Sequence, residues 1–302
     1  MWDILTRAGC FITIIALGYV LKRVGFFKES DFKVLSKITI NITLPAAIVS
    51  AYAGSSIDPA MLSIVLLGLA HGIVCMFLGW LSHCRRSRED KAFAILNTSG
   101  INIGTFTMPF VQGFLGSMGI ITAGIFDTGN AGICLGGAYS VAGMVKNGAG
   151  FSVKQLLGSL VRSVPFLCYV IMLLINLVGI TLPEPVVSFA GIIGGANAFM
   201  AMLTIGVGFK LSGDRSQLGS ILRILLSRYG MAAVFALGCY YLLPFGEEVR
   251  SALVILSFGP IAAANPPFTE KLKSDVGLAS AVNSISIVCS IVIVVALSVA
   301  LL

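Results

Sequence analysis

The positive charges of this chain are confined to alternate gaps between long apolar segments, and this spacing constrains the fold more than any other feature. Of the 20 Lys and Arg residues, 18 lie in every second gap or on the helix flanks beside those gaps. Basic residues collect on the cytoplasmic side of membrane proteins. The pattern therefore predicts ten crossings of a cell membrane, with both termini on the non-cytoplasmic side.

Composition excludes a water-soluble protein. Hydrophobic residues make up 57% of the 302 residues, charged residues make up 11%, and the mean hydropathy is +0.98. Because a spanning helix needs about 20 apolar residues, ten spans use nearly the whole chain, and we expect function to reside within the lipid bilayer. The formal net charge of +7 is explained by topology, so it does not indicate nucleic-acid binding.

The ten predicted spans divide equally between the halves 1–150 and 151–302. They cover residues 5–21, 32–52, 60–81, 92–115, 118–145, 160–180, 186–209, 218–243, 249–268 and 276–302. An odd number of spans per half gives the two halves opposite orientations in the membrane. The sequence therefore predicts an all-α integral membrane fold of ten transmembrane helices, arranged as a 5+5 inverted repeat.

The fourth and ninth spans contain residues that interrupt helices, and we predict that these broken helices cross near the bilayer midplane. The candidate substrate-binding residues at the two interruptions are Asn102, Gly104, Thr105, Pro109, Gly259, Pro260 and Asn265. Each interruption exposes the amide end of one half-helix, which attracts anions. A carboxylate is the predicted ligand, held without a buried Lys or Arg. The alternative is that proline and glycine merely kink packed spans.

Asp127 is the acidic residue that lies deep inside a predicted span, with Asn130 one turn later. Ionisable groups at that depth are costly and mark proton, ion or substrate paths. The two residues are therefore candidates for coupling or gating, against a structural role as the alternative. Asn41, Asn197 and Asn283 are secondary candidates, with helix-to-helix hydrogen bonding as the alternative.

Other polar residues carry weaker indications. Arg228 lies about a turn and a half into the eighth span, and we expect its side chain to snorkel to the cytoplasmic interface, with a gating role as the alternative. His71 and His83 are twelve residues apart and do not resemble a metal pair. No metal site, cofactor or catalytic group is predicted, and the scattered cysteines are interpreted as packing residues.

Short motifs along nearly the whole chain resemble the auxin efflux carrier family, which includes bacterial organic-acid permeases. They are Asn41-x-x-Leu44-Pro45, Asn102-x-Gly104-x-x-Thr107-x-Pro109, Asp127-x-Gly129-Asn130, Gly208-x-x-Leu211, Pro260, and Asp275 with Leu278-Ala279-Ser280. The chain departs from the family pattern at Thr107, where a glycine is usual. It also departs at Asn265-Pro266-Pro267, which we expect to add a second break in the ninth span.

The resemblance implies a carrier in which helices 1, 2, 6 and 7 form a scaffold and helices 3–5 and 8–10 form a mobile core. It also implies an elevator-like movement of the core and a homodimer. We therefore expect a secondary transporter, either a permease or an efflux carrier, for small organic anions such as monocarboxylates or dicarboxylates, possible coupling ions being protons or sodium.

Two other functions stay open at this point. A sodium-coupled symporter of the bile acid type would cluster oxygen ligands at the crossing, and a non-transporting membrane receptor would bind a ligand without moving it. An enzyme is not expected, because Asp127 has no acidic partner and the sequence contains no His-Glu-x-x-His motif or serine and base pairing.

Overall fold

The computed structural model describes residues 2–55, 57–209 and 217–301, so Leu211 of the Gly208-x-x-Leu211 motif lies outside the described residues. Within those ranges the regular structure is helical, apart from an antiparallel bridge between Ile101 and Ile261. The all-helical prediction is confirmed for this part of the chain.

The described residues form fifteen α-helices, with short helical turns between some of them. In the first half the helices are α1 (Trp2–Arg23), α2 (Asp31–Ile38), α3 (Leu44–Tyr52), α4 (Ser63–Ser82), α5 (Arg88–Thr98), α6 (Met108–Gly132) and α7 (Ala138–Asn147). Turns of π-helix, Thr39–Thr43, Ile103–Thr107 and Ile133–Gly137, join α2 to α3, precede α6, and join α6 to α7. A 3-10 turn, Pro59–Leu62, precedes α4.

The second half continues with a further set of helices. They are α8 (Val153–Leu160), α9 (Val164–Val178), α10 (Glu184–Gly195), α11 (Asn197–Gly208), α12 (Leu218–Leu242), α13 (Glu247–Ser257), α14 (Asn265–Lys271) and α15 (Val276–Leu301). Helices α8 and α9 are bent by 74° relative to each other.

By length and composition, 7 helical stretches can cross a membrane, or 8 if α8 and α9 form one span. One of them runs from Ile103 to Asn147 over 45 residues. At 1.5 Å per residue this is roughly twice the thickness of the hydrocarbon core. The backbone leaves helical geometry at Gly116 (φ +57°, ψ −137°), which divides the stretch into a short segment, residues 103–115, and a longer segment, residues 117–147.

Helix α6 lies at the centre of the molecule, where it packs against α3, α4, α9, α11 and α13. Its side chains Phe110 and Phe126 are fully buried. The approach of α4 is so close that a Cβ atom at Gly129 would collide with the backbone carbonyl of Val65. This contact fixes the part of α6 that carries Asp127 and Asn130.

The expectation of a second break at Asn265-Pro266-Pro267 is wrong, because these residues begin α14. Proline lacks the N–H that the first helical turn leaves unpaired in any case, so it is favoured there. The helical path between α13 and α14 is interrupted once, over residues 258–264.

Candidate functional site

Two interruptions of the helical backbone meet inside the molecule. Helix α5 ends at Thr98 and α13 ends at Ser257. Beyond these ends Ile101 and Ile261 form the antiparallel bridge, and the Asn102 N–H donates to the Pro260 carbonyl at 2.9 Å. Unpaired backbone groups are costly in hydrocarbon, so the two extended segments satisfy part of each other's hydrogen-bonding requirement.

Glycines allow the close approach of the two segments. Gly100 has φ +74°, in the left-handed region that favours glycine. A Cβ atom at Gly259 would collide with the Thr107 hydroxyl and the Ile101 side chain. Gly259 therefore has a packing role at the contact, beside the Thr107 that departs from the family motif.

The first interruption is held by side chains of α6. The Asn130 Oδ1 accepts from the Ile101 N–H at 3.0 Å, and its Nδ2 donates to the Ile101 carbonyl at 2.9 Å. The same Nδ2 donates to Asp127 Oδ1 at 2.8 Å. Asn130 therefore pairs with both backbone groups of Ile101, as a neighbouring β-strand would. It also orients the Asp127 carboxylate.

The second interruption is held in a similar way by α15. The Ile261 N–H donates to Ser286 Oγ at 3.1 Å. The Nδ2 of Asn283 lies 3.4 Å from the Ile261 carbonyl and 3.3 Å from the Ala262 carbonyl. Each bridging isoleucine is thus tied by polar side chains of the next long helix in its own half of the chain.

A cavity of about 180 Å³ borders the first interruption. Of the predicted site residues, it is lined by Asn102, Gly104, Thr105, Asp127 and Asn130. Its remaining wall is mostly apolar and includes Ala262, Ala263 and Ala264 from the second interruption. The structure thus brings five predicted residues together around one space.

A helix begins at the wall of this cavity. The π-helical turn Ile103–Thr107 leads directly into α6, and the first amides of a helix have no acceptor within it. Thr105 Oγ1 donates to Asn102 Oδ1 at 2.6 Å. Across residues 2–55, 57–209 and 217–301, Asn102 Nδ2 has no hydrogen-bond partner, so it is a free donor.

Tyr169 of α9 was missed by the sequence analysis. Its side chain is 1% exposed and lines the cavity. The hydroxyl lies near the Asp127 carboxylate, but no hydrogen-bond partner with good geometry is found for it among the described residues. A buried phenol normally has a partner, so this hydroxyl is available to a ligand. A lone tyrosine in an apolar span carries no motif, which is why it was missed.

Arg228 does not snorkel to the interface, so that expectation is wrong. The side chain is 1% exposed, and its guanidinium donates to the carbonyls of Thr98 at 2.9 Å, Gly259 at 2.8 Å and Pro260 at 3.1 Å. The expectation of a crossing without a buried basic residue is wrong for the same reason. Free carbonyls at the ends of α5 and α13 offer the guanidinium a better environment than the lipid interface does.

Four predicted substrate-binding residues lie outside the cavity wall: Pro109, Gly259, Pro260 and Asn265. Pro109 is the second residue of α6 and is buried, and Pro260 contributes its carbonyl to Asn102 and Arg228. Asn265 is 2% exposed and its Nδ2 donates to the carbonyls of Leu96 at 2.7 Å and Ser99 at 3.1 Å. These contacts join the two interruptions to each other.

The secondary candidates also make contacts within the protein. Asn41 is exposed and donates to the carbonyl of Lys37 at 2.9 Å. Asn197 accepts from Thr43 at 3.1 Å and donates to Gln112 Oε1 at 3.2 Å. These two asparagines and Asn283 are not among the residues that line the cavity.

Comparison with known proteins agrees with this membrane architecture. Residues 10–146 match the model of the membrane transport protein family. An uncharacterized transporter of Methanothermobacter thermautotrophicus is 23% identical over 291 residues, which cover 93% of each chain.

A second relative matches a shorter part of the chain. It is an uncharacterized transporter of Methanocaldococcus jannaschii, 25% identical over 124 residues, which cover 39% of this chain and 40% of the relative. Both relatives are transporters, and the comparisons support the resemblance to a membrane transport family that the sequence motifs indicate.

Proposed function

We propose that this transporter is a secondary carrier of small organic anions and that the cavity beside Asn102 is its substrate site. The observation that carries the proposal is the convergence of hydrogen-bond donors on this cavity. They are the Gly104 and Thr105 amides in the turn Ile103–Thr107, Asn102 Nδ2 and the Tyr169 hydroxyl. Such a group of donors suits a carboxylate.

The size and lining of the cavity favour a small substrate with an apolar part. Its volume of about 180 Å³ is below the roughly 300–1,000 Å³ that drug-sized ligands occupy. Ile40, Leu44 and Phe166 form apolar wall opposite the donors. A monocarboxylate or short dicarboxylate with few carbon atoms fits this description.

The ten-span, 5+5 inverted repeat is part of the same proposal. It counts the interrupted helical path from α5 to Gly116 and the path from α13 to α14 as one span each. Two similarities between the halves support it: the facing interruptions at Ile101 and Ile261, and their ties to α6 and α15. Ser163 lines the cavity and is next to Arg162 in the sequence, so in the proposed topology the cavity faces the cytoplasm.

The proposed transport movement is an elevator-like shift of the core, α4–α7 and α12–α15, against the scaffold. Few polar contacts oppose such a shift. Gln112 of α6 bonds to Asn197 and to the Gly194 carbonyl of the scaffold, and Tyr52 donates to the Ile121 carbonyl at 3.3 Å. The other contacts between these groups are mainly apolar, so they can slide without leaving polar groups unpaired.

Asp127 is the proposed coupling group. Its carboxylate lines the cavity that is proposed to receive the anion. Two negative charges in one cavity repel each other. A proton on Asp127 removes the repulsion, so we propose that anion and proton bind together. The alternative coupling ion is sodium. Transport measured with a pH gradient and with a sodium gradient distinguishes the two ions.

The test is counterflow in proteoliposomes containing the purified transporter. Labelled malate, malonate and indole acetate are compared with a neutral control, with and without pH and sodium gradients. We expect at least one carboxylate to exchange, and the neutral compound not to exchange. A protein that folds and binds a carboxylate but moves none would favour the receptor alternative.

Asn102→Ala tests the assigned site, and Asn41→Ala is its matched control because Asn41 lies outside the cavity. We expect exchange to be lost in the first variant and kept in the second, with similar thermal unfolding of both proteins. Retained exchange in Asn102→Ala would refute the site.

A further inference from the structure

Arg228 is a buried cation that does not belong to the proposed substrate site. It lies on α12 with 1% of its side chain exposed. Its guanidinium makes hydrogen bonds to three carbonyls, two from the second interruption and one, that of Thr98, from the first. Among the described residues no carboxylate forms an ion pair with Arg228.

The partners of Arg228 are the carbonyl ends of two helices. Helix α5 ends at Thr98, and α13 ends at Ser257, just before Gly259. The carbonyl end of a helix carries roughly half a negative elementary charge. Two such ends facing each other inside a membrane protein repel each other, and the single positive charge of Arg228 balances both.

Arg228 is also coupled to the cavity through one carbonyl oxygen. The Pro260 carbonyl accepts from Arg228 at 3.1 Å and from the Asn102 N–H at 2.9 Å. Asn102 lines the cavity, as does Cys134, whose thiol is within electrostatic range of Arg228. The positive charge is therefore close to the substrate space without being exposed to it.

We propose that Arg228 is a positioning residue that neutralises the carbonyl ends of both interrupted helices, and so leaves the cavity with a positive potential that selects anions. Only the identity of the ligand as an organic anion rests on the proposed function. The potential itself follows from the position of the charge. If Arg228 acted by packing alone, a charged and an uncharged side chain of similar size at position 228 would give the same potential in the cavity.

The test measures the potential at Cys134. In a variant that keeps Cys134 and replaces the other six cysteines, methanethiosulfonate reagents of similar size and opposite charge modify the thiol. The ratio of the two rate constants, relative to the ratio for a small thiol in solution, reports the local potential. The thiolate fraction cancels in this ratio, because both reagents attack the same thiolate.

One opposing charge has to be removed first. Asp127 lies within electrostatic range of the same thiol, so the measurement is made in an Asp127→Asn background. There we expect the anionic reagent to be favoured over the cationic reagent. A preference for the cationic reagent would overturn the proposal without any change at Arg228.

The decisive comparison is between substitutions at Arg228. We expect Arg228→Gln to lower the rate ratio by about tenfold or more, since one buried charge acts over a short distance in low dielectric. Arg228→Lys keeps the charge and should keep most of the ratio. Arg223→Gln is the matched control, because it removes an equal charge from the same helix at the cytoplasmic cluster with His83 and Arg86, and it should leave the ratio within about twofold.

Thermal unfolding in detergent separates potential from folding. Arg228→Lys and Arg228→Gln both lose hydrogen bonds to the carbonyls, so both should unfold at lower temperature. If the two variants show the same rate ratio, Arg228 acts by packing alone and the proposal fails. The counterflow of carboxylates by the unmodified transporter is a separate result, so failure here leaves the proposed function standing.

Discussion

The two helix interruptions share their backbone arrangement but differ in the chemistry of their side chains. The first contributes Asn102 and Thr105 to the cavity wall, which also includes Asp127 and Asn130 of α6, whereas the second contributes three alanines. Both are extended, both are tied to the next long helix, and Arg228 caps a carbonyl from each. The comparison teaches that one interruption supplies binding groups while the other supplies a wall and a partner for the backbone.

The largest difference is expected between Asn102→Ala and Ala263→Ser. Both residues line the cavity, one from each interruption. Loss of the Asn102 donor should reduce carboxylate exchange by about a hundredfold or more, which corresponds to about 2.7 kcal/mol. The added hydroxyl at position 263 should change exchange by less than about threefold. Counterflow rates at equal protein content measure both, and equal losses would remove the distinction between the interruptions.

A second comparison uses the side chains that hold the bridging isoleucines. Asn130→Ala and Ser286→Ala each leave one isoleucine N–H without its acceptor, at a cost of about 1–3 kcal/mol in the free energy of unfolding. Only Asn130 also orients Asp127, so exchange should fall about tenfold in Asn130→Ala and much less in Ser286→Ala.

Thermal unfolding and counterflow are measured on the same preparations of these two variants. The comparison fails if Ser286→Ala loses as much exchange as Asn130→Ala at equal stability.

Asp127→Asn removes the acidic side chain that lies beside the first interruption. The second interruption contributes no acidic side chain to the cavity. With a permanently neutral side chain, exchange should lose its dependence on pH between about pH 5 and pH 8. Initial rates of exchange at a series of pH values measure this effect. An unchanged pH profile in a folded variant would exclude Asp127 as the coupling group.

Tyr169→Phe should have a smaller effect that is specific to binding. The hydroxyl makes no hydrogen bond of good geometry to the described protein residues, so its removal should leave the unfolding temperature unchanged. If it donates to the substrate, the KM for the carboxylate should rise by about three- to tenfold. The concentration dependence of exchange gives this value, and an unchanged KM would place the carboxylate elsewhere in the cavity.

The smallest effect is expected at the ion pair that links the ends of the two interrupted regions. Lys146 Nζ donates to Glu89 of α5 at 2.8 Å and to the Leu272 and Lys273 carbonyls that follow α14, each at 3.1 Å. The hydrogen bond and charge of Lys146 lower the pKa of Glu89. The stabilisation is therefore present at neutral pH and is lost as the pH falls through the titration of Glu89.

Because the Glu89 side chain is 54% exposed, Glu89→Gln should cost less than about 1 kcal/mol. The thermal unfolding temperature as a function of pH measures the effect. A large loss of stability in Glu89→Gln would show that the two regions depend on this link more than on Arg228.

The sequence predicted the membrane class and the polar residues of the first interruption, because charge placement and helix-breaking residues act locally. It could not assign Arg228, since a long side chain near a helix end reaches either lipid headgroups or protein carbonyls, and the choice depends on which neighbours lie within reach. The role of Pro266 and Pro267 was also missed. Proline disrupts a helix interior but favours a first turn, so its effect depends on where the preceding segment ends.

Tertiary pairing determined the remaining differences. Asn265 and Asn197 looked like candidates for a site because asparagine both donates and accepts, yet each bonds to a neighbouring segment. Tyr169 belongs to the cavity only because α9 packs against α6. No local pattern in the sequence contains such a contact between the halves.

The central claim is that the helix beginning at Ile103 presents its free amides to a carboxylate. The most direct test is an experimental structure of the transporter with a carboxylate that the counterflow assay shows to be exchanged. The account predicts density for the carboxylate within hydrogen-bond distance of the Gly104 or Thr105 amides and the Asn102 side chain. An exchanged carboxylate found outside this cavity, with these amides unoccupied, would contradict it.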